Sequence, residues 1–389
     1  MAQPVKKGAG IKANKFNIDE FKSKKLGMGK IAEKPIQWFV MPKGFQDALS
    51  LPGIPYGYFS GIYGWNSTGK STIKNCLIAS AQRQNVLPVI FETEGNFDFS
   101  YAKKCGMEAE PVYEDVEEID EETGEITVTN KIVDYSGNFI LFTNESMCEY
   151  CGDLDYSTMT RKATKRRVAV IEDIAYIMND LLDKQESGEL PMDLLFVWDS
   201  VGSITSWRSY TSKSGNNMFD AASISAAFNT IVNTRIPSSR SQSSPYTNTF
   251  FIVNKIWDAS MATMGKPSVK LKGGNSFSYA LRLLIASGKI VTSGVKLLEA
   301  TVKGEKYQYG TVAPIAVKKN QLPEPFTVSR EGELYCVGSG IISESEIDEY
   351  KKKILPEIIK ELKKNDTTGK MSAISEEDIV FTETESENV

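Results

Sequence analysis

The sequence predicts an α/β fold: a mostly parallel, twisted sheet covered on both faces by helices. Three observations carry this. Short apolar runs alternate with amphipathic ones from Trp38 onward, a glycine-rich turn joins the run YFSGIY to a helical stretch, and the apolar run LLFVWD ends in an acid. The strands fall at 58–63, 88–92, 138–143, 194–199, 249–254, 278–287 and 311–317, where apolar and β-branched residues cluster between turn residues. Helical periodicity places helices at 71–84, 97–105, 168–185 and 221–234. Residues 1–37 read as a basic arm rich in lysine and glycine, with a short helix at 17–25. Residues 38–342 read as the core, and 343–389 as a charged helix containing Pro356 followed by a disordered acidic tail. Two stretches break the rhythm of the core and are expected as surface insertions. The first, 109–137, is an acidic hairpin turning at ETGE; the second, 145–167, ends in the basic run Arg161, Lys162, Lys165, Arg166 and Arg167.

A chain of 389 residues is long enough for one large core with appendages, or for two domains. With 41% hydrophobic and 24% charged residues the composition is that of a globular protein, which excludes a mostly disordered or fibrous chain. There is no run of eighteen apolar residues, and no apolar stretch follows the N-terminal lysines, so neither a membrane span nor a secretory signal is expected and the setting should be cytosolic. Histidine is absent, which removes Ser-His-Asp and Cys-His nucleophiles and imidazole metal sites; acid–base chemistry falls to carboxylates, lysines or water. Of the five cysteines only Cys148 and Cys151 form a C-x-x-C pair. Without a second pair it reads as two thiols in a loop rather than a zinc site. The net charge is −5, and six acids after residue 373 exceed it, so the rest of the chain is not acidic and nucleic acid remains an eligible partner.

The most specific motif is Gly64-Trp65-Asn66-Ser67-Thr68-Gly69-Lys70-Ser71, which matches G-x-x-x-x-G-K-[ST] between a strand and a helix. In such a P-loop, backbone N–H groups curl around a β-phosphate at a helix N-terminus. Lys70 meets the β/γ oxygens, the Ser71 hydroxyl faces Mg²⁺, and Thr72 follows in the same nucleotide-binding stretch. Asp199, at the end of LLFVWD, suits the carboxylate that holds the Mg²⁺ shell. The run FETEGNFD offers a carboxylate to orient an attacking water, and spacing alone does not choose between Glu94 and Glu92.

Taken in order, PYGYFSGIYGWNSTGKS, FETEGNFDFSYAKKCGME, LLFVWDSVGSI, FFIVNKIWD and LKGGNSFSYALRL resemble the RecA recombinase family over roughly residues 36–333, and most of all its phage UvsX-type branch. The resemblance implies a RecA-type P-loop NTPase core that uses ATP and Mg²⁺. It makes Glu94 the catalytic glutamate, Asp98 and Tyr101 the adenine contacts, and Asn254 with Lys255 the sensor of the γ-phosphate. It implies two DNA-binding loops, the first with Trp207, Arg208, Tyr210 and Lys213, the second with Lys266, Lys270, Lys272, Gly273 and Gly274. It further implies that Lys319 reaches a neighbouring subunit's ATP. Lys255 replaces a glutamine of bacterial members, and Gln321 replaces a second interfacial lysine. The implied activity is ATP-dependent strand exchange in homologous recombination, with hydrolysis turning over a helical filament. The implied partners are single- and double-stranded DNA, further copies of the chain packed through Phe16 and Phe21, and single-strand-binding and mediator proteins, with no membrane. A ring-shaped replicative helicase and a low-turnover ATP-binding paralogue share the same core, and the acidic tail would compete with DNA for the basic loops.

Overall fold

The computed structural model describes residues 17–25, 32–119, 126–152, 154–161, 166, 168–212, 220–258, 270–271, 273–289, 293–323, 331–364, 375 and 378–385. After α1 (Ile18–Lys25), β1 (Trp38–Val40), α2 (Lys43–Leu49) and β2 (Gly53–Pro55), the chain alternates between sheet and helix. The run is β3 (Phe59–Gly64), α3 (Lys70–Arg83), β4 (Leu87–Glu92), α4 (Phe99–Lys104), a hairpin of β5 (Glu110–Ile119) and β6 (Ile126–Ser136), β7 (Ile140–Phe142) and α5 (Asn144–Cys151). The short pair β8 (Leu154–Asp155) and β9 (Thr160–Arg161) leads into α6 (Ile171–Glu186), β10 (Leu194–Asp199), α7 (Trp207–Ser212) and α8 (Asp220–Thr230). A π-type turn at Ile231–Arg235 carries the chain into α9 (Ile236–Ser238). Next come β11 (Asn248–Asp258), β12 (Lys270–Leu271), α10 (Gly274–Ala280) and β13 (Leu283–Ser287). The last part comprises β14 (Lys296–Val302), β15 (Glu305–Asn320), β16 (Glu331–Val337), β17 (Gly340–Ile342), α11 (Ile347–Lys364) and β18 (Val380–Glu385).

The sheet runs β17-β16-β15-β13-β3-β11-β10-β4-β7, with β14 joined to both β15 and β18. Its centre is parallel: β13, β3, β11, β10, β4 and β7 pair in one direction. Strands buried on both faces are apolar throughout, and the period of two sends their side chains into separate cores. On β10, Leu195 and Val197 join α3 and α2 residues such as Ile73, Leu77 and Phe45. From the same strand Leu194, Phe196 and Trp198 join Met147, Ile174, Met178 and Phe228 from α5, α6 and α8. β11 divides in the same way, Phe251 and Val253 against Phe250 and Ile252. Among the described residues, no helix is long and apolar enough to cross a membrane.

Several expectations are corrected. Beyond β13 the sheet turns antiparallel, through β15, β16, β17, β14 and β18. The expected strand 278–287 begins only at Leu283, because Gly274–Ala280 is a helix whose Phe277 ring packs on Phe59 and Phe228 at 4.9 and 5.6 Å. The 145–167 stretch is not wholly a surface insertion, since α5 buries Met147, Cys148 and Cys151 against α6. The C-x-x-C pair therefore sits on a packed helix and not in a loop. The basic run also changes character at Arg166. Its guanidinium grips the fully buried Asp173 carboxylate with bonds of 2.9 and 2.6 Å and lies 5.4 Å over the Trp207 ring. Asp173 further accepts from the Tyr156 hydroxyl at 2.6 Å and the Val170 amide at 2.7 Å. Lys162, Lys165 and Arg167 lie outside the described residues.

The acidic tail is not disordered at 380–385. Those residues form β18 on the free side of β14, where Phe381 packs edge-on to Tyr309 at 5.5 Å and joins the core that α11 closes with Ile354 and Ile358. Glu299 accepts from Lys306 at 3.0 Å and from the Thr384 hydroxyl at 2.5 Å, which ties the strand in place. The acidic hairpin does form. Tyr135 stacks on Phe99 at 3.8 Å to anchor its base, while Tyr113, Val128 and Ile132 remain exposed further out.

Two stability predictions follow from these contacts. Asp173→Ala leaves the buried Arg166 charge uncompensated and should cost about 3–5 kcal/mol in urea unfolding. Phe381→Ala should release β18, so limited proteolysis should cut near residue 379 sooner than in the unaltered chain, with the core fragment persisting.

Candidate active site

Four adjacent parallel strands end at one edge of the sheet, the position where α/β folds place ligands. β3 runs into the Gly64–Ser71 turn, β4 ends two residues before Glu94, β10 ends at Asp199, and β11 carries Asn254 and Lys255. The register sets Lys255 opposite Gly64 and Asp199 opposite both Val253 and Glu92.

The turn is built for close backbone approach. A Cβ at Gly64 would lie 2.0 Å from the Ser287 carbonyl oxygen, and Gly69 holds φ +85 immediately before α3, where no side chain caps the helix. The first amide N–H groups of this 14-residue helix thus face the turn, with the positive end of the helix dipole behind them. Thr68 is fully buried and donates to the Trp65 carbonyl at 2.8 Å, and the Trp65 indole donates to the Lys289 carbonyl at 2.9 Å. Lys70 folds back to donate to the Trp65 carbonyl. Burial pushes its ammonium down to about 8, against the pull of Asp199 and Glu94 and with a further push from Lys255.

Beside the turn is a cavity of about 410 Å³ lined by Ser67–Thr72, Tyr101 and residues of β15 and β16, including Tyr309 and Cys336. Tyr101 lines the wall and shares a 2.7 Å hydrogen bond with Thr72. Asp98 accepts from the Tyr101 amide at 3.0 Å and so caps α4, which sets the ring's position. Asn66 and Ser67 sit in the turn, Ser67 at φ +58. Ser71 is exposed at the start of α3, and Asn254 is buried at the end of the parallel run of β11.

The two glutamates have different surroundings. Glu92 is 2% exposed, 3.5 Å from Lys74 Nζ, and accepts the Glu94 amide at 2.9 Å. Burial pushes its carboxyl up, with Lys74 opposing and Asp199 adding. Glu94 stands further out. Its Oε1 accepts from Lys255 Nζ at 2.8 Å, from Ser203 Oγ at 2.9 Å and from Ser200 Oγ. Burial alone would raise its carboxyl, but the bonds from Lys255, Ser200 and Ser203 hold it below the usual range. Sequence reasoning missed Lys74, Ser200 and Ser203. Lys74 lies one turn after Lys70 and reaches Asp199 Oδ2 at 2.7 Å, with its ammonium 4.9 Å from the Phe97 ring. A second lysine one turn beyond Lys70 on the same helix was the available signal.

The expected DNA contacts are placed unevenly. Trp207 is withdrawn from that set: it is 8% exposed, its indole donates to Ser157 at 2.8 Å, and Arg166 covers its face. Arg208 and Tyr210 are exposed on α7. Gly273 and Gly274 take φ +114 and +74 at the start of α10, and a Cβ at Gly273 would strike the Phe277 ring at 2.7 Å. Lys270 begins β12, paired with Asp258 of β11. Lys213, Lys266 and Lys272 lie outside the described residues, as does Phe16. Lys319 is not brought to the turn within one chain. It lies opposite Leu284, near the start of β13, and donates to the Tyr279 carbonyl at 2.9 Å, whereas Ser287 at the end of β13 meets Gly64.

The model of the RecA N-terminal domain family matches residues 22–146, which include the Gly64–Ser71 turn, Glu94 and Tyr101. Similar curated proteins include the RecA protein of Roseiflexus castenholzii, 32% identical over 118 residues, or 28% of this chain and 32% of that one. The RecA protein of Chlorobium limicola is 41% identical over 61 residues, 16% of this chain and 17% of its own. That of Aquifex aeolicus is 38% identical over 66 residues, 17% of this chain and 19% of its own. The aligned stretches thus span about a third or less of these relatives' length. The matched segment forms the turn, α3, β4 and α4 of a mixed α/β core around a large central sheet, and over that segment the chain is similar to the RecA N-terminal domain family.

Proposed function

We propose that the protein is an ATP-hydrolysing recombinase of the UvsX type that assembles as a helical filament on single-stranded DNA and exchanges strands with a duplex. The observation that carries this reading is the convergence of Lys70, Glu94, Asp199 and Lys255 on one sheet edge, beside a helix N-terminus and a cavity roofed by Tyr101. The open amides of α3 and the Lys70 ammonium suit a polyphosphate, and the Tyr101 ring suits a base. Asp98 holds α4, and hence that ring, through its cap.

The Ser71 hydroxyl and the Asp199 carboxylate are hard oxygen donors that fit Mg²⁺. The ion would supply charge neutralisation across the β- and γ-phosphates. Glu94 is the better base of the two glutamates, because its side chain is 17% exposed at the mouth of the site, whereas Glu92 is 2% exposed beside Lys74. A carboxylate held ionised can orient a water and accept its proton as the bond to the γ-phosphate breaks. Asn254 and Lys255, at the root of the segment that leads to β12, would register the γ-phosphate. DNA would be bound by Arg208 and Tyr210 of the first loop and by the second loop, 257–274, since cations neutralise phosphates and a ring can stack on bases. Lys319 would act only on a neighbouring copy's nucleotide, which requires assembly.

Turnover of ATP with and without single-stranded DNA, alongside electron microscopy of the same mixture, tests the reading. Stimulated turnover with helical filaments is expected. Closed rings, or nucleotide binding without stimulation or assembly, would refute it. Glu94→Gln should lower kcat by about 10²–10⁴-fold while keeping nucleotide affinity. Lys70→Met should weaken nucleotide binding about 10–100-fold, the equivalent of losing a charged hydrogen bond of about 1.5–3 kcal/mol, measured with a fluorescent ATP analogue.

A further inference from the structure

The ion pair between Lys255 and Glu94 is formed by two residues that are far apart in sequence and not on neighbouring strands. Glu94 follows β4 and Lys255 belongs to β11, so the lysine side chain spans the end of β10, which lies between them. The Lys255 side chain is 49% exposed and that of Glu94 17%, so the contact lies at the mouth of the site rather than in the core. Ser200 and Ser203, just after β10, donate to the same Oε1.

We propose that Lys255 is a positioning residue for Glu94: its ammonium reaches across the end of β10 to hold the carboxylate ionised and in one orientation. This rests on the reading of Glu94 as the base. An acid two residues beyond a strand end has rotamers that swing it into solvent, and three donors on one oxygen restrict that freedom. Among the described residues, the charged groups around Glu94 are Lys255 from β11, Lys70 from α3, Glu92 from β4 and, beyond Glu92, the pair of Lys74 from α3 with Asp199 from β10. Lys74 is taken by Asp199 and Glu92, and Lys70 donates to the Trp65 carbonyl. Among the described residues Lys255 is therefore the cation in direct contact with Glu94, and its removal leaves the two serines as neutral donors.

The sign follows from charge. A base works only when ionised, so turnover is lost as pH falls through its pKa. Taking away the adjacent ammonium raises that pKa, and the loss begins at higher pH. The test compares kcat/KM against pH for the full chain and for Lys255→Gln and Lys255→Arg, with Glu94→Gln as the reference. We expect the acid limb of Lys255→Gln to move up by about one unit, and that of Lys255→Arg to stay with the unaltered protein. A Lys255→Gln limb that overlays the unaltered one, while Glu94→Gln is inactive, overturns the inference and leaves Glu94 as the base. Full activity of Glu94→Gln overturns both. If Lys255→Gln turns over too slowly for a profile, the carboxyl carbon of Glu94 can be titrated by NMR in nucleotide-free, ¹³C-glutamate-labelled protein, assigned by its absence in Glu94→Gln. The same upward movement in Lys255→Gln is expected, and an unmoved titration refutes the proposal.

Discussion

A single buried ammonium sets the geometry of the site. Lys74 projects from α3 between the ends of β4 and β10, 2.7 Å from Asp199 and 3.5 Å from Glu92, with all three side chains shut off from solvent. Two carboxylates side by side in a low-dielectric interior repel each other, and the ammonium between them offsets that repulsion. Holding them together locks α3, and with it the Gly64–Ser71 turn, onto the strands that carry the acids. The Glu94 amide is fixed by Glu92, while its carboxylate is held further out by Lys255, Ser200 and Ser203.

The parallel and antiparallel halves of the sheet have separate tasks. The parallel half aligns strand ends so that residues from four segments meet at one edge. The antiparallel half closes the far wall of the cavity, where Tyr309 and Cys336 face Tyr101 and the turn. That wall is backed by a third core of Leu298, Tyr335, Val337, Ile354 and Ile358, with Phe381 against it. The last described strand, β18, thus lies behind the cavity wall, and its acids Glu383 and Glu385 face Lys296 along the outer edge of β14.

Side chains that sequence pattern treats alike are divided by packing. Trp207 and Tyr210 are three residues apart on α7, yet the first is sealed by Arg166, Tyr156 and Ser157 while the second is open. Arg166 in turn belongs to Asp173 and not to solvent. An aromatic residue near cations in a sequence has the composition of a nucleic-acid surface, but a partner delivered from fifty residues away decides whether its face is available.

The strand 194–199, the glycine-rich turn, and the helix after it were legible in the sequence because their signals are local: an unbroken apolar run, glycines at a set spacing, a 3.6-residue period. The absence of histidine likewise excluded, by itself, imidazole from any acid–base role in this sequence. What only the tertiary structure decided involves partners distant along the chain. Residues 278–280 turn helical because Phe277 finds a cluster of rings. Residues 380–385 become a strand because β14 offers an unpaired edge. Glu92 and Glu94, two positions apart on one short run, acquire different surroundings from Lys74 and Lys255, which approach from α3 and β11. Local pattern states which residues can be buried, helical or charged; the free energy that selects among equivalent candidates comes from desolvation and pairing, and these are defined only once the chain has closed on itself.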